Sequence, residues 1–310
     1  MNLKTSIKRA YRNKGIRGVV QAIFRKLAGT EEYEEQIATL HFFINAYLDI
    51  SKAPKATGVL RDLQECDTVL LAIFDKICRK HNLTYWLDFG TLLGAIRHGG
   101  FIPWDDDVDV LMPRDAFDRA KTILSEELSP YGIVAKEDIL MGRIGIGYQH
   151  KQTGIWMDVF PVDYCSADLL DHANRAELSK QIRHYRKKLS RSDEKRNLMR
   201  KKEIITSLST KENAVSMFLA AECTSALMGW NLENIFPLRE ISFEGYSLYV
   251  PANENHLTEL YGPNYMQFPR TGVLHHGDET GGLVDWIKNS GMNMIEIKRE
   301  FETILNSIEV

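Results

Sequence analysis

The run from Phe101 to Met112, "FIPWDDDVDVLM", places four aspartates in five positions, Asp105, Asp106, Asp107 and Asp109, between two apolar clusters. A chain can fold this way only if something offsets the crowded charge. Residues two apart in a strand project from one face, with Cα atoms ~6.5 Å apart. Val108, Val110 and Leu111 around the carboxylates predict a half-buried strand over 107–112. Asp107 and Asp109 then share a face, Asp105 stands at the mouth, and Asp106 points elsewhere. Two carboxylate charges ~5 Å apart repel by about 3 kcal/mol at an effective dielectric of 20. Protonation of one member relieves the repulsion. So does a divalent cation between them, and hard oxygen ligands suit Mg2+ or Mn2+.

The flanking segments narrow the chemistry. "DFGT" (88–91) falls at a predicted strand-to-helix junction, where Gly90 and Thr91 offer free backbone N–H groups and a positive dipole end to a phosphate. Arg97, two turns on, can add a charge-assisted contact to the same anion. Asp88 either reaches a nucleotide or caps the helix. Asp158, centred in the β-prone "IWMDVF", is a third strand-borne carboxylate. Asp163, two residues after Pro161, either contacts substrate or shapes a turn. His98 touches a diphosphate or closes the helix, and His275 and His276 contact substrate or are loop bystanders. Tyr261 and Tyr265 are expected to pack a C-terminal helix. Trp86, Trp104, Tyr148 and Trp156 either fill the core or offer π-faces to a quaternary ammonium. A phosphate cradle, paired carboxylates and a third carboxylate together describe a metal-dependent phosphoryl or nucleotidyl transfer site.

The remainder of the 310 residues is ordinary for a soluble globule, with 44% hydrophobic and 26% charged residues. Cys66, Cys78, Cys165 and Cys223 lie too far apart for a zinc motif and read as free thiols. No leader-like or membrane-spanning apolar stretch is seen, so a cytoplasmic protein is expected. Residues 1–28 contain eight Lys or Arg and no acidic residue, and their second half has helical apolar spacing. This basic amphipathic segment either lies on an anionic membrane surface or packs on its own domain. A second basic stretch, 183–202, holds ten Lys or Arg against two acidic residues, reading as a solvated helix face or a screen for anions. No nucleic-acid partner is expected beside a face of four aspartates. The chain divides into an N-terminal helical region (1–57), a catalytic core (58–165), a basic helical insert (166–236) and a C-terminal part completing the core (237–310).

"YWLDFGTLLGAIRHGGFIPWDDDVDVLMPRDAFD", "IWMDVFPVD" and "LTELYGPNYMQFP" resemble three blocks of the LicD family, which includes phosphocholine transferases and fukutin-related ribitol-phosphate transferases. The likeness covers about 80–165 and 250–277. It implies an α+β fold: a nucleotidyltransferase (DNA polymerase β-like) mixed sheet with large helical elaborations. It also implies Mg2+-dependent transfer of a phospho-alcohol, phosphocholine by default, from a CDP-activated donor to a cell-surface glycan, with release of CMP. Carried onto this sequence, Gly90 and Thr91 match the phosphate-cradling turn, Asp107 and Asp109 the metal ligands with Asp105 in the same motif, and Asp158 the third carboxylate. CDP-ribitol or CDP-glycerol are alternative donors. A D-x-D glycosyltransferase would need a dinucleotide-fold strand series before the motif, where this sequence predicts helices.

Overall fold

The computed structural model describes residues 30–138, 142–148, 155–186, 209–220, 223, 227–269, 285 and 287–309. Residues 1–28, 187–202, His275 and His276 therefore lie outside the described residues. The chain forms two compact units, 1–50 with 267–270, and 51–266 with 271–310. In the first, helix α1 (Thr30–Tyr47) donates from His41 Nε2 to the Phe268 carbonyl at 2.6 Å. Asn45 Oδ1 accepts from Phe268 N–H at 2.7 Å. Among the described residues, no helix is long and apolar enough to cross a membrane.

The larger unit is an α+β fold, as the motif pattern predicts. It opens with helix α2 (Val59–Lys80), whose apolar residues recur three and four apart and whose last turn carries Arg79 and Lys80. Strand β1 (Trp86–Leu87) and helix α3 (Phe89–His98) follow. Gly99, at φ 66°, closes α3 in the left-handed conformation that glycine adopts freely. Strand β2 (Val108–Pro113) leads into α4 (Arg114–Leu128), then the hairpin β3 (Ile133–Asp138) and β4 (Arg143–Tyr148), then the long β5 (Trp156–Cys165). Helix α4 crosses one sheet face, so β5 runs parallel to β2 and antiparallel to β4. The sheet order is β1-β2-β5-β4-β3, with β5 in the centre.

The alternation of β2 and β5 sorts their side chains between two layers. Val108, Val110, Met157 and Val159 face a core built with Leu70 and Phe74 of α2, Phe117 and Leu124 of α4, and Phe301 of α8 (Met294–Ser307). Leu111 and Val162 face the other way, with Trp86 and Trp230. Asp109 and Asp158 lie on that second face.

The segment 166–236 departs from its helical expectation. It supplies α5 (His172–Arg186), but also strands β6 (Ser216–Leu219) and β7 (Gly229–Asn231) and the short α6 (Leu232–Ile235). β6 pairs with the second half of β5 and β7 pairs with β6, extending the sheet. "SMFL" is a continuous apolar run, and periodicity alone cannot tell such a buried strand from a buried helix. The hairpin β8 (Arg239–Phe243) and β9 (Tyr246–Val250) forms a separate two-stranded sheet, followed by α7 (Asn255–Tyr261).

Asp163 is neither a turn residue nor a free carboxylate. It lies within β5, buried, and takes Arg114 Nε at 2.9 Å on Oδ1 and Arg114 Nη2 at 2.8 Å on Oδ2. This bidentate pair ties the start of α4 to the central strand. Removing one member strands the other charge in a dry site, so Asp163→Leu should cost about 3–5 kcal/mol in urea unfolding. The double variant Arg114→Met/Asp163→Leu should recover most of that loss. Equal destabilisation of the single and double variants would show that the pair contributes no coupling.

Candidate active site

The acidic loop is held to the sheet by its backbone. Thr91 Oγ1, buried in the first turn of α3, accepts the Asp109 N–H at 2.9 Å. The Asp88 N–H donates to the Asp109 carbonyl at 3.1 Å. Gln64 Nε2 of α2 donates to the carbonyls of Ile102 at 3.3 Å and Asp105 at 2.9 Å. The β8–β9 turn grips the start of the same loop through Glu244. Its N–H donates to the Gly99 carbonyl at 2.9 Å. Its buried carboxylate accepts from Arg61 Nη1 and Nη2 at 3.1 and 2.8 Å, Lys55 Nζ at 2.6 Å and the Phe101 N–H at 3.4 Å. Burial opposes ionisation of Glu244, but the bonds from Arg61 and Lys55 outweigh it and hold the carboxyl below its usual range.

Within this frame, one carboxylate oxygen each from Asp105, Asp106 and Asp107 come together, all within 4.8 Å of one another. Asp106 thus joins the cluster instead of pointing away. The strand begins only at Val108, and the Asp105 N–H bonds the Ile102 carbonyl at 3.0 Å in a turn, so the two-residue alternation does not extend back to 105–107. Asp109, on the strand itself, is not one of these three. In a parallel ladder its register partner is Asp158 of β5, which places the two side chains on one face. Burial, then the charges of Asp107, Asp158, Asp105 and Asp88, push the Asp109 carboxyl well up. Burial, then Asp107 and Asp106, do the same to Asp105.

Asp105 Oδ2 is buried and has no hydrogen-bond partner among the described residues. It presses on Gly90, where an added Cβ would come within 2.8 Å of it. Gly90 is therefore needed for this close approach, independently of any phosphate. A buried, donorless carboxylate oxygen within an all-oxygen donor set fits a hard divalent cation.

Asp158 is paired. Oδ2 accepts from Arg143 Nη1 and Oδ1 from Trp156 Nε1 at 2.8 Å. Burial raises its carboxyl to about 6, with Arg143 and Trp156 partly offsetting that rise. Asp88 is the helix cap: fully buried, it accepts from Phe89 N–H at 2.6 Å, Trp86 Nε1 at 3.0 Å and His256 Nε2 at 2.7 Å. Phe89 sits at φ 47°, a left-handed conformation that costs a non-glycine residue about 1 kcal/mol. Arg97 is buried, donates Nη1 to the Tyr265 carbonyl at 2.9 Å, and feels the charge of Asp105. His98 accepts from Arg97 Nε at 3.0 Å and is pushed down to about 4 by burial and then by that guanidinium. It is the last residue of α3, a neutral ring just before the Gly99 cap. Tyr261 is 44% exposed and does not pack as expected, whereas Tyr265 packs against the core; partial burial, then Asp88, Asp109 and Asp105, push the Tyr261 hydroxyl up.

Asp67, Glu244, Arg143 and His256 belong to this site and were not picked out from sequence. Asp67 of α2 is buried, its Oδ1 accepts the Trp156 N–H at 3.1 Å, and burial followed by Asp107 and Asp106 pushes it well up. The usable signal was phase: Asp67 stands on the apolar stripe of α2 with Leu63, Leu70, Leu71 and Phe74. The other three come from separate segments and leave no local pattern.

A mixed sheet that gathers carboxylates from neighbouring parallel strands against a helix N-terminus defines this protein as an α+β domain with an acidic face. Residues 82–189 match the family model described as "LicD/FKTN/FKRP, nucleotidyltransferase domain". The chain is 27% identical over 253 residues to lipopolysaccharide cholinephosphotransferase LicD of Haemophilus influenzae, covering 68% of this chain and 92% of that protein. It is 43% identical over 51 residues to ribitol 5-phosphate transferase FKRP of human and mouse, covering 16% of this chain and 10% of those proteins. The chain carries a LicD-family domain.

Asp158 makes stability depend on pH when divalent cations are removed with chelator. Its folded carboxyl titrates near 6, above the usual range, so between pH ~4 and ~6 the folded state keeps a proton that the unfolded chain releases. Stability should fall as pH rises through this window, by on the order of 3 kcal/mol for this group, and then level off. Denaturant titrations of wild type and Asp158→Asn across pH 4–7 should differ in slope there; parallel curves would remove the assignment.

Proposed function

We propose that this chain transfers a phospho-alcohol group, phosphocholine in the first instance, from a CDP-activated donor to a hydroxyl of a cell-surface glycan, releasing CMP. The observation that carries the reading is the convergence of Asp105, Asp106 and Asp107 within 4.8 Å beside the register pair Asp109–Asp158, inside a LicD-family domain. The strand-borne carboxylates beside a helix N-terminus support a nucleotidyltransferase core of the DNA polymerase β type. The relatives transfer phospho-alcohols: one is named for cholinephosphate on lipopolysaccharide, the others for ribitol 5-phosphate.

Asp105, Asp107 and Asp109 are the ligands proposed for Mg2+, with Mn2+ as substitute. When bound, the cation supplies neutralising charge to the donor diphosphate and the departing CMP. Arg97 adds positive charge behind Asp105, and the N–H groups of Gly90 and Thr91 face the anion from the start of α3. An ionised carboxylate has about four lone-pair sites. Asp158, with Arg143 and Trp156 on two of them, retains capacity to orient the acceptor hydroxyl and take its proton. The acceptor oxygen–phosphorus bond forms as the phosphorus–oxygen bond to CMP breaks, and the proton passes to Asp158. The short FKRP match supports a second reading in which the donor is CDP-ribitol or CDP-glycerol.

The test is CMP release from CDP-choline, CDP-ribitol and CDP-glycerol, with Mg2+ and lipopolysaccharide or teichoic acid as acceptor. Asp107→Asn and Asp109→Asn should each lower turnover by on the order of a thousandfold with the fold intact. Near-normal turnover in both folded variants would rule out the carboxylate mechanism. A nucleoside monophosphate left on the acceptor would replace it with nucleotidyl transfer.

A further inference from the structure

Trp156 opens β5 and, at 40% relative exposure, contrasts with the buried Ile155, Met157 and Asp158 around it. Its register partner in β4 is Gly147, and Gly145 stands opposite Asp158. An added Cβ would fall 1.9 Å from Trp156 Cζ2 at Gly145 and 2.4 Å from Trp156 Cε3 at Gly147. The indole therefore lies flat along a strip of sheet that carries no side chains. One ring face rests on the backbone of β4 and the other is turned outward.

Two contacts fix the ring there. Nε1–H is donated to Asp158 Oδ1 at 2.8 Å, and the backbone N–H to Asp67 Oδ1 at 3.1 Å. The ring's single N–H is thus engaged, and the outer face offers π-electrons and dispersion without a hydrogen-bond donor. Asp107, just before the start of β2, lies close enough for its charge to act on both Asp158 and Asp67, the two acids bonded to Trp156. Asp67, Asp107 and Asp158 set the local sign. Among the described residues, Arg143 is committed to Asp158, and the exposed Lys136, register partner of Gly145, is a further cation on this side. A ligand that carries positive charge but no N–H matches this surface, because carboxylates and a π-face stabilise it without directional bonds. Negative surroundings add nothing for a neutral nucleobase.

We propose that the outward face of Trp156 is the subsite for the quaternary ammonium of the donor's alcohol, with Asp158 supplying charge at the ring's edge and Gly145 and Gly147 keeping the platform flat. This rests on the CDP-alcohol reading and narrows it to choline-like donors. Gly147→Ala would lift the indole without removing it.

The test compares calorimetric binding of CDP-choline, its uncharged 3,3-dimethylbutyl carbon isostere, CDP-ribitol and CMP, with Mg2+ present. Wild type should bind CDP-choline about tenfold more tightly than the isostere. Trp156→Leu should bring that ratio close to one, Trp156→Phe should restore part of it, and Gly147→Ala should lower it. Loss of the bond to Asp158 affects both donors alike and cancels in the ratio. A ratio unchanged in folded Trp156→Leu overturns the subsite, as does CMP binding weakened as much as CDP-choline, which would make Trp156 a base-stacking residue. Preference of wild type for CDP-ribitol also overturns it while leaving the transferase reading in place. Absence of binding by every CDP-alcohol overturns both.

Discussion

Repulsion among the carboxylates crowded at one end of the β2–β5 pair is the force against which the surrounding structure is organised. Burial makes that repulsion worse, because desolvation disfavours each charged form, and Asp67, Asp105, Asp109 and Asp158 are all pushed upward for that reason first. The loop does not spring open because its backbone, and not its side chains, is what is tied down. Thr91 and Asp88 hold Asp109, Gln64 holds Asp105, and Glu244 holds Gly99 and Phe101. These contacts leave the carboxylate oxygens of the cluster facing one another. Glu244 can serve this way because its own charge is satisfied by Arg61 and Lys55, away from the cluster.

The two faces of the sheet divide the work. One is covered by α2, α4 and α8 with an apolar core that runs from Leu63 to Ile308. Each fully buried aliphatic or aromatic side chain there contributes about 1.5–3 kcal/mol, reserves large enough to carry a left-handed Phe89 and several uncompensated acids. The opposite face carries Asp109 and Asp158 and then returns to apolar packing at Leu111, Val162 and Trp230. The same two-residue alternation that buries Val108 and Val110 therefore delivers Asp109 to the site.

What could be read from the sequence follows from this. Elements whose period is local and whose caps are strong appear close to where the spacing predicts them: β2 begins one residue later than expected, and α3 follows the strand-to-helix junction at 88–91. The residues of the acidic motif were legible because one contiguous stretch holds them. Asp106 was misplaced because a turn precedes the strand, and strand alternation was carried two residues too far. Asp163 was misread because its partner, Arg114, lies 49 positions away, and nothing local distinguishes a buried ion pair from a turn or a substrate contact. β6 and β7 were read as helix because a four-residue apolar run has no measurable period. Asp67, Arg143, Glu244 and His256 reach the site only through tertiary folding, so no spacing rule could gather them.

Trp156 and Asp158 show how closely chemistry and recognition are joined here. Two residues apart on one strand, they share a face, and the indole N–H sits on the carboxylate that faces Asp109. The Trp156 main-chain N–H is held by Asp67, which feels the charges of Asp107 and Asp106. Trp156 is thus held through its indole N–H and through its backbone N–H by acids that belong to the same electrostatic cluster. Glycines at 145 and 147 leave the space on β4 that the ring occupies. The arrangement of the carboxylates and the orientation of the platform are therefore one structural state, set by the register of β5 against β2 on one side and β4 on the other.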